Sequence, residues 1–255
     1  MALLPLKDDN NIINIKFQYI TLIIIISCVA IFLWQLSLGG EQGKIIYGLG
    51  TIPSVLFGER QLSPNLVIIP GSLTLITSLF LHGGWMHLSF NMLFLWVFGD
   101  NIEDSMGHLR FISFYLICGI LATLTHSIMA NNSNAPLIGA SGAISGVLGA
   151  YIMIHPKARI LVLFMNIIPL RLPAIIVLGA WIGIQFFSLG NESNTAWWAH
   201  IGGFAAGMAL IIPFRKKRIV LFDKWEFFNE NQKTPTANNM LKRGSSIFPK
   251  TLKKK

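Results

Sequence analysis

Charge is what this chain has least of. Only 12% of its 255 residues are Asp, Glu, Lys or Arg, about half of what a soluble domain carries, whereas 53% are hydrophobic and the mean hydropathy is +0.60. Such a composition excludes an ordinary soluble domain and makes the lipid bilayer the first partner. Cysteine is almost missing too. Cys28 and Cys118 both fall inside apolar runs, so neither a disulfide framework nor a thiolate metal site is available. No sequence period of about 20 to 50 residues recurs, which argues against a solenoid. An inverted repeat of the transporter kind is also lacking.

What is present is a series of uncharged runs at 17–40, 61–99, 111–156, 172–191 and 193–214. A spanning helix needs about 20 apolar residues, so the run at 111–156 holds two, separated by the turn-forming NNSNAP from Asn131 to Pro136. Six spans are therefore expected, near 18–38, 75–98, 110–130, 139–155, 172–189 and 196–214. The first is too long for a signal-peptide core and no small-residue cleavage pattern follows it, so it reads as an anchor.

With six spans both termini share a side. That side receives Lys7 and Lys16, then Arg110, then Lys157, Arg159 and Arg171, then the twelve basic residues from Arg215 onward, leaving only Lys44 and Arg60 opposite. The positive-inside rule makes it cytoplasmic. The net charge of +9 resides largely in RKKR (215–218) and the closing TLKKK, which points to topology and anionic lipid, not to nucleic acid. Three segments follow: a cytoplasmic stretch at 1–16, a membrane domain at 17–214, and a basic, largely disordered cytoplasmic tail at 215–255. Within the tail IVLFDKWEFF (219–228) has the makings of a short interfacial helix.

Strongly polar side chains at membrane depth are costly, and each is a functional candidate. They are His87 and Asn91 in the second span, His126 in the third, Ser141 and Ser145 in the fourth, Gln185 in the fifth and His200 in the sixth. The even-numbered spans all run inward from the outer face. If Gly83-Gly84 marks the working start of the second, His87, Asn91, Ser141 and His200 share one layer within about 10 Å of the outer ends of their helices. His87 and Asn91, four apart, share a helix face. Gly139, Gly142, Gly146 and Gly149 make one small-residue seam, and Gly203 and Gly207 make a second below His200. Helices in lipid approach closely through such residues, so the two seams bring the fourth and sixth spans together.

A serine and an imidazole at hydrogen-bond distance carry out acyl transfer: the ring takes the hydroxyl proton, the alkoxide attacks a carbonyl, and the imidazolium protonates the leaving amine. The Ser141 amide, at a helix N-terminus, and the His87 and Asn91 side chains are candidate donors to the oxyanion. No Asp or Glu lies at this depth, so the expectation is a Ser141–His200 dyad whose ring is oriented by packing. Ser145 is assigned to packing and His82 to loop hydrogen bonding. Trp197 and Trp198 are assigned to an interfacial aromatic belt.

Three pieces resemble the rhomboid intramembrane serine proteases, in particular the compact six-helix bacterial form: HGGWMHLSFNMLFLWVFGDNIED (82–104), GASG (139–142) and AHIGGFAAG (199–207), in family order over residues 17–214. The resemblance implies an all-α, six-transmembrane-helix bundle with a membrane-dipping first loop, here 41–74. It puts the nucleophile at Ser141, the catalytic histidine at His200, the oxyanion partners at His87, Asn91 and the Ser141 amide, and a structural acid at Glu103. It further implies a serine endopeptidase without metal or cofactor, cleaving single-span transmembrane substrates in or near their membrane segment. The setting is the bacterial inner membrane, with the site toward the outer face. Many relatives carry an aromatic four residues after the nucleophile, packed on the histidine; Ser145 stands there. The competing reading is a non-proteolytic rhomboid-like protein that binds or escorts membrane clients. Nothing in the sequence sets an oligomeric state.

Overall fold

The structure is a computed structural model that describes residues 3–165, 167–189 and 196–222. Along the described chain run β1 (Leu3–Asp8), α1 (Tyr19–Ser37), α2 (Gln42–Leu49), α3 (Pro53–Leu56), α4 (Thr74–Thr77), α5 (Trp85–Met106), α6 (His108–Met129), α7 (Ser141–Ile154), β2 (Arg159–Phe164), β3 (Ile168–Pro173), α8 (Ala174–Phe187) and α9 (Trp197–Phe214). Among the described residues α1, α6 and α9 are long and apolar enough to cross a membrane, and α7 and α8 are shorter apolar helices. Large apolar side chains also face outward, including Ile23, Ile26 and Leu33 on α1 and Ile175, Ile176, Ile184 and Phe187 on α8. An apolar exterior of this extent is suited to lipid and not to water.

The short α7 forms the centre, packed against α5, α6 and α9. Every residue in it except Ser141 and Ile152 is buried. Its small residues permit this. A Cβ on Gly142 would stand 2.7 Å from the Ala122 Cβ, and one on Gly146 would stand 2.6 Å from the Cys118 side chain, both too close for real atoms. On the other side Gly203 lies against the Gly142 carbonyl and Gly207 against that of Gly146. The α7–α9 seam is thus glycine on glycine, with backbones in direct contact and dispersion the main attraction between them.

The second apolar run departs from the expected helix at 75–98. Residues 74–80 form α4 and a 3-10 turn, the chain breaks at Leu81–Gly84, and α5 begins only at Trp85. It then continues past the expected end, through Asp100, Glu103 and Asp104, to Met106. The last two carboxylates are tolerated because the preceding segment satisfies them. Glu103 accepts from the Ile20 amide at 3.0 Å, the Thr21 amide at 2.9 Å and the Thr21 hydroxyl at 2.8 Å, which caps α1; Asp104 accepts from the Ile15 amide and the Asn14 side chain at 2.7 Å. Glu103 is fully buried.

A three-stranded antiparallel sheet, ordered β1-β2-β3, lies at the end of the bundle where α7 finishes. It draws residues 3–8 into the fold and occupies what reads in sequence as a plain connection; α8 starts at Ala174, behind it. Only the edge strands carry proline, Pro5 in β1 and Pro169 and Pro173 in β3, as the missing amide requires. Ile160 and Val162 of β2 are fully buried and alternate with less buried neighbours, so one face of the sheet joins the core. Asp8 ties β1 to the helices: its Oδ2 accepts from the Tyr151 hydroxyl at 2.6 Å and the Asn101 side chain at 2.9 Å. Of the expected interfacial helix at 219–228, residues 219–222 are not helical, and the remainder lies outside the described residues with the rest of the tail.

Candidate active site

The site is assembled at the end of the bundle opposite the sheet, where α5, α7 and α9 all begin. Two contacts fix the loop leading into α7. Thr51 and Leu137 exchange backbone hydrogen bonds of 3.1 and 2.7 Å, and the Gly139 amide donates to the Ser78 carbonyl at 2.9 Å. Gly139 has a φ of +121°, and a Cβ there would stand 2.6 Å from His87 Nε2. Glycine is required twice over, by the backbone conformation and by the imidazole pressed against it.

Immediately after this turn Ser141 opens α7. Its hydroxyl meets His200 Nε2 at 2.9 Å. Asn91, 7% exposed, lines the same space, and its Nδ2 is buried with no hydrogen-bond partner among the described residues. His87 packs edge-on to His82, ring centres 5.2 Å apart, and the Gly83 amide approaches its Nδ1 at 3.5 Å. All four side chains line one cavity of about 850 Å³, walled further by Met86, Phe90, Trp181, Gln185 and Trp197. The structure therefore brings together Ser141, His200, His87 and Asn91.

The remaining candidates divide. Gly139 lies against His87, and Gly142, Gly146, Gly203 and Gly207 form the seam that sets the α7–α9 spacing. Ser145 is fully buried and donates to the Ser141 carbonyl at 2.6 Å. His82 is fully buried, with Nδ1 3.2 Å from the Phe80 carbonyl, and its backbone exchanges hydrogen bonds with the Gln35 side chain. Trp197 stands beside the site instead of in a detached belt, its ring centre 6.2 Å from that of His200.

Two side chains near His200 go beyond the sequence reading, which marks Gln185 only as a polar candidate and gives Trp181 no part. Gln185 Oε1 lies 2.7 Å from His200 Nδ1, and the Trp181 ring packs on the imidazole with centres 5.7 Å apart. The expectation that packing alone orients the ring is thus incomplete, because a carboxamide holds its second nitrogen. Gln185 stands out as the one strongly polar residue in its expected span, 172–189, but which side of α8 faces α9 is a matter of packing, not of composition.

A family model for the rhomboid domain matches residues 71–217. The rhomboid protease GluP of Bacillus subtilis is 30% identical over 201 residues, which is 78% of this chain and 36% of that protein. Mitochondrial rhomboid protein 1 of Saccharomyces cerevisiae is 30% identical over 175 residues, 64% of this chain and 48% of the relative. The human presenilin-associated rhomboid-like protein, also mitochondrial, is 28% identical over 177 residues, 64% of this chain and 44% of the relative. The chain thus spans less than half the length of these curated relatives. The family match covers more than half of the chain, includes the GASG turn and takes in every side chain that meets in the cavity, and on that ground the chain belongs to the rhomboid family.

Proposed function

We propose that the protein is an intramembrane serine endopeptidase in which Ser141 is the nucleophile and His200 the general base. The observation that carries this reading is the 2.9 Å approach of the Ser141 hydroxyl to His200 Nε2, in a cavity also lined by Asn91, whose Nδ2 has no partner among the described residues. In the forward step Nε2 takes the hydroxyl proton as Oγ attacks the scissile carbonyl. The new oxyanion is held by the Asn91 side chain, the free amide at the start of α7 and His87. The imidazolium then protonates the departing amine, and a water, activated by the same nitrogen, releases the acyl group.

Six crossings, cytoplasmic termini and an outward-facing site form the topology of the proposal. The sheet supports the parity: β1 and β2 are hydrogen-bonded and so lie on one side, with α1, α5, α6 and α7 between them accounting for four crossings. Lys7, Arg159 and Arg171 all belong to that sheet, which fits the cytoplasmic face. A 14-residue helix rises about 21 Å, short of a hydrocarbon core of about 30 Å, so a central α7 sinks Ser141 below the outer surface while the cavity above it admits water. The substrates are transmembrane proteins with a helix-weakening, small-residue stretch near that face, because a helical peptide bond is shielded until it unwinds. Residues 41–74 make the membrane-dipping loop and 17–214 the catalytic domain.

The test uses purified protein in lipid vesicles with a single-span reporter substrate. Wild type cleaves it and is labelled by a fluorophosphonate, while Ser141→Ala does neither and His200→Ala is not labelled. Equal cleavage by wild type and Ser141→Ala overturns the assignment, and binding without cleavage by both replaces it with a client-escort role.

A further inference from the structure

We infer that Gln185 is a positioning residue for the candidate catalytic histidine, fixing the tautomer of His200 through a one-way chain of hydrogen bonds that starts at the Trp181 carbonyl. The inference rests on the proteolytic reading above and adds to it a neutral third member where a charged triad would hold an acid.

The direction of the chain follows from what each group can do. The Trp181 carbonyl can only accept, so the group 3.1 Å from it must be the amide nitrogen of Gln185, which donates. The Gln185 oxygen is thereby turned to His200, 2.7 Å from Nδ1. An amide oxygen can only accept, so Nδ1 must carry the ring proton. In the neutral ring the bare lone pair is then on Nε2, and Nε2 is the atom 2.9 Å from the Ser141 hydroxyl. Every donor and acceptor from α8 through α9 to α7 is determined, and the result is the tautomer that a general base needs.

Burial makes the arrangement stiff. Gln185 is 5% exposed, so its amide has little water to turn toward, and both of its polar ends are satisfied inside the protein. Trp181 and Gln185 are four residues apart and share a face of α8, so one helix supplies both the tether on the ring edge and the aromatic packed on it. With Ser145 directed to the Ser141 carbonyl, Trp181 gives His200 an aromatic neighbour from another helix.

A carboxamide orients the ring without adding charge. Among the described residues the imidazolium formed during the reaction has no carboxylate partner. In charged triads a wrong tautomer costs about 10⁴-fold in kcat; a neutral tether leaves less to lose, and about 10²-fold is expected here. Because Gln185 acts through His200, the loss belongs in kcat, with KM within about two-fold.

The test combines a spectroscopic readout with kinetics on the full chain in lipid. Nitrogen-15 spectra of protein labelled at histidine, with His200 assigned by the His200→Ala difference, are expected to show a protonated Nδ1 and a bare Nε2 in wild type and a mixture in Gln185→Met. Gln185→Met is expected to lose about 10²-fold in kcat and Gln185→Glu, which restores an acceptor, to recover at least ten-fold of it. A wild-type ring protonated on Nε2 overturns the inference, as does a folded Gln185→Met with wild-type kcat and spectrum. The tautomer is read on wild type without any substitution, so misfolding of a variant does not block the test. If Ser141→Ala cleaves as well as wild type, the proteolytic reading fails, and the nitrogen spectra still report separately on Gln185.

Discussion

Gly207→Ala is the most demanding test of the glycine seam, because one methyl group two helical turns from His200 should reach the chemistry. Its Cβ would stand 2.5 and 2.6 Å from the carbonyl carbon and Cα of Gly146, and closer still to that residue's oxygen. Ordinary contact begins near 3.4 Å. Both obstacles are backbone in the middle of helices, so no rotamer change relieves them, and α9 must move off α7 by about 1 Å. Overpacking of this kind costs about 1–3 kcal/mol. The same displacement would stretch the Ser141–His200 approach from 2.9 Å to beyond hydrogen-bond range. A misplacement of about 1 Å costs about 10²-fold in rate, so kcat should fall by that much. Thermal unfolding in lipid or detergent and cleavage of a single-span reporter measure the two effects. Gly179→Ala is the control: nothing lies within 4 Å of its Cβ, and the helix should gain up to about 1 kcal/mol in propensity. A Gly207→Ala protein with wild-type melting and wild-type turnover would refute the claim that backbone contact along this seam sets the dyad distance.

Four further outcomes are expected. Asn91→Ala removes a buried donor from the cavity wall and should lower kcat about 10²–10³-fold in the reporter assay, with fluorophosphonate labelling slowed in parallel; an unchanged rate would take Asn91 out of the oxyanion site. Ser145→Ala should keep most of the activity, since among the described residues its hydroxyl bonds the Ser141 carbonyl alone, and loss of labelling would assign it a larger part. Glu103→Ala strands the capping donors of Ile20 and Thr21, each worth about 1–3 kcal/mol when buried, and should lower the melting temperature in a way that Glu103→Gln partly restores. Burial raises the Asp8 carboxyl from its ordinary value, so folding favours its protonated form. Its contribution to stability is therefore fullest below the unfolded value of about 3.9 and declines as pH rises through the raised folded value. Melting from pH ~4 to ~8 should show wild type losing ground to Asp8→Asn as pH rises, and a pH-independent gap would contradict the burial argument.

What could be read from the sequence follows from where polarity is expensive. His87, Asn91, Ser141 and His200 stand out because an apolar run tolerates few such groups, and the glycines around them mark where helices touch. The sheet could not be read in this way. RILVLF is apolar almost throughout, so the alternation of buried Ile160 and Val162 with their neighbours exists only in the folded protein. The break ahead of α5 was hinted at by Gly83-Gly84, but its continuation to Met106 depends on amides of residues 15, 20 and 21 reaching Glu103 and Asp104, a long-range pairing without a local signal. Gln185 was seen as polar; its role depends on the rotation of α8 about its own axis.

The pairing of β1 with β2 also constrains the order of assembly. Leu4 meets Leu163, so residues 3–8 leave the ribosome about 150 residues ahead of the strand that receives them. During that interval the strand, with Lys7 and its buried-to-be Asp8, must wait unpaired while α1, α5, α6 and α7 are made. The hairpin of β2 and β3 then closes over the gathered helix ends. A strand made early is thus among the last to be bonded, and its pairing latches the bundle at the end where α7 finishes.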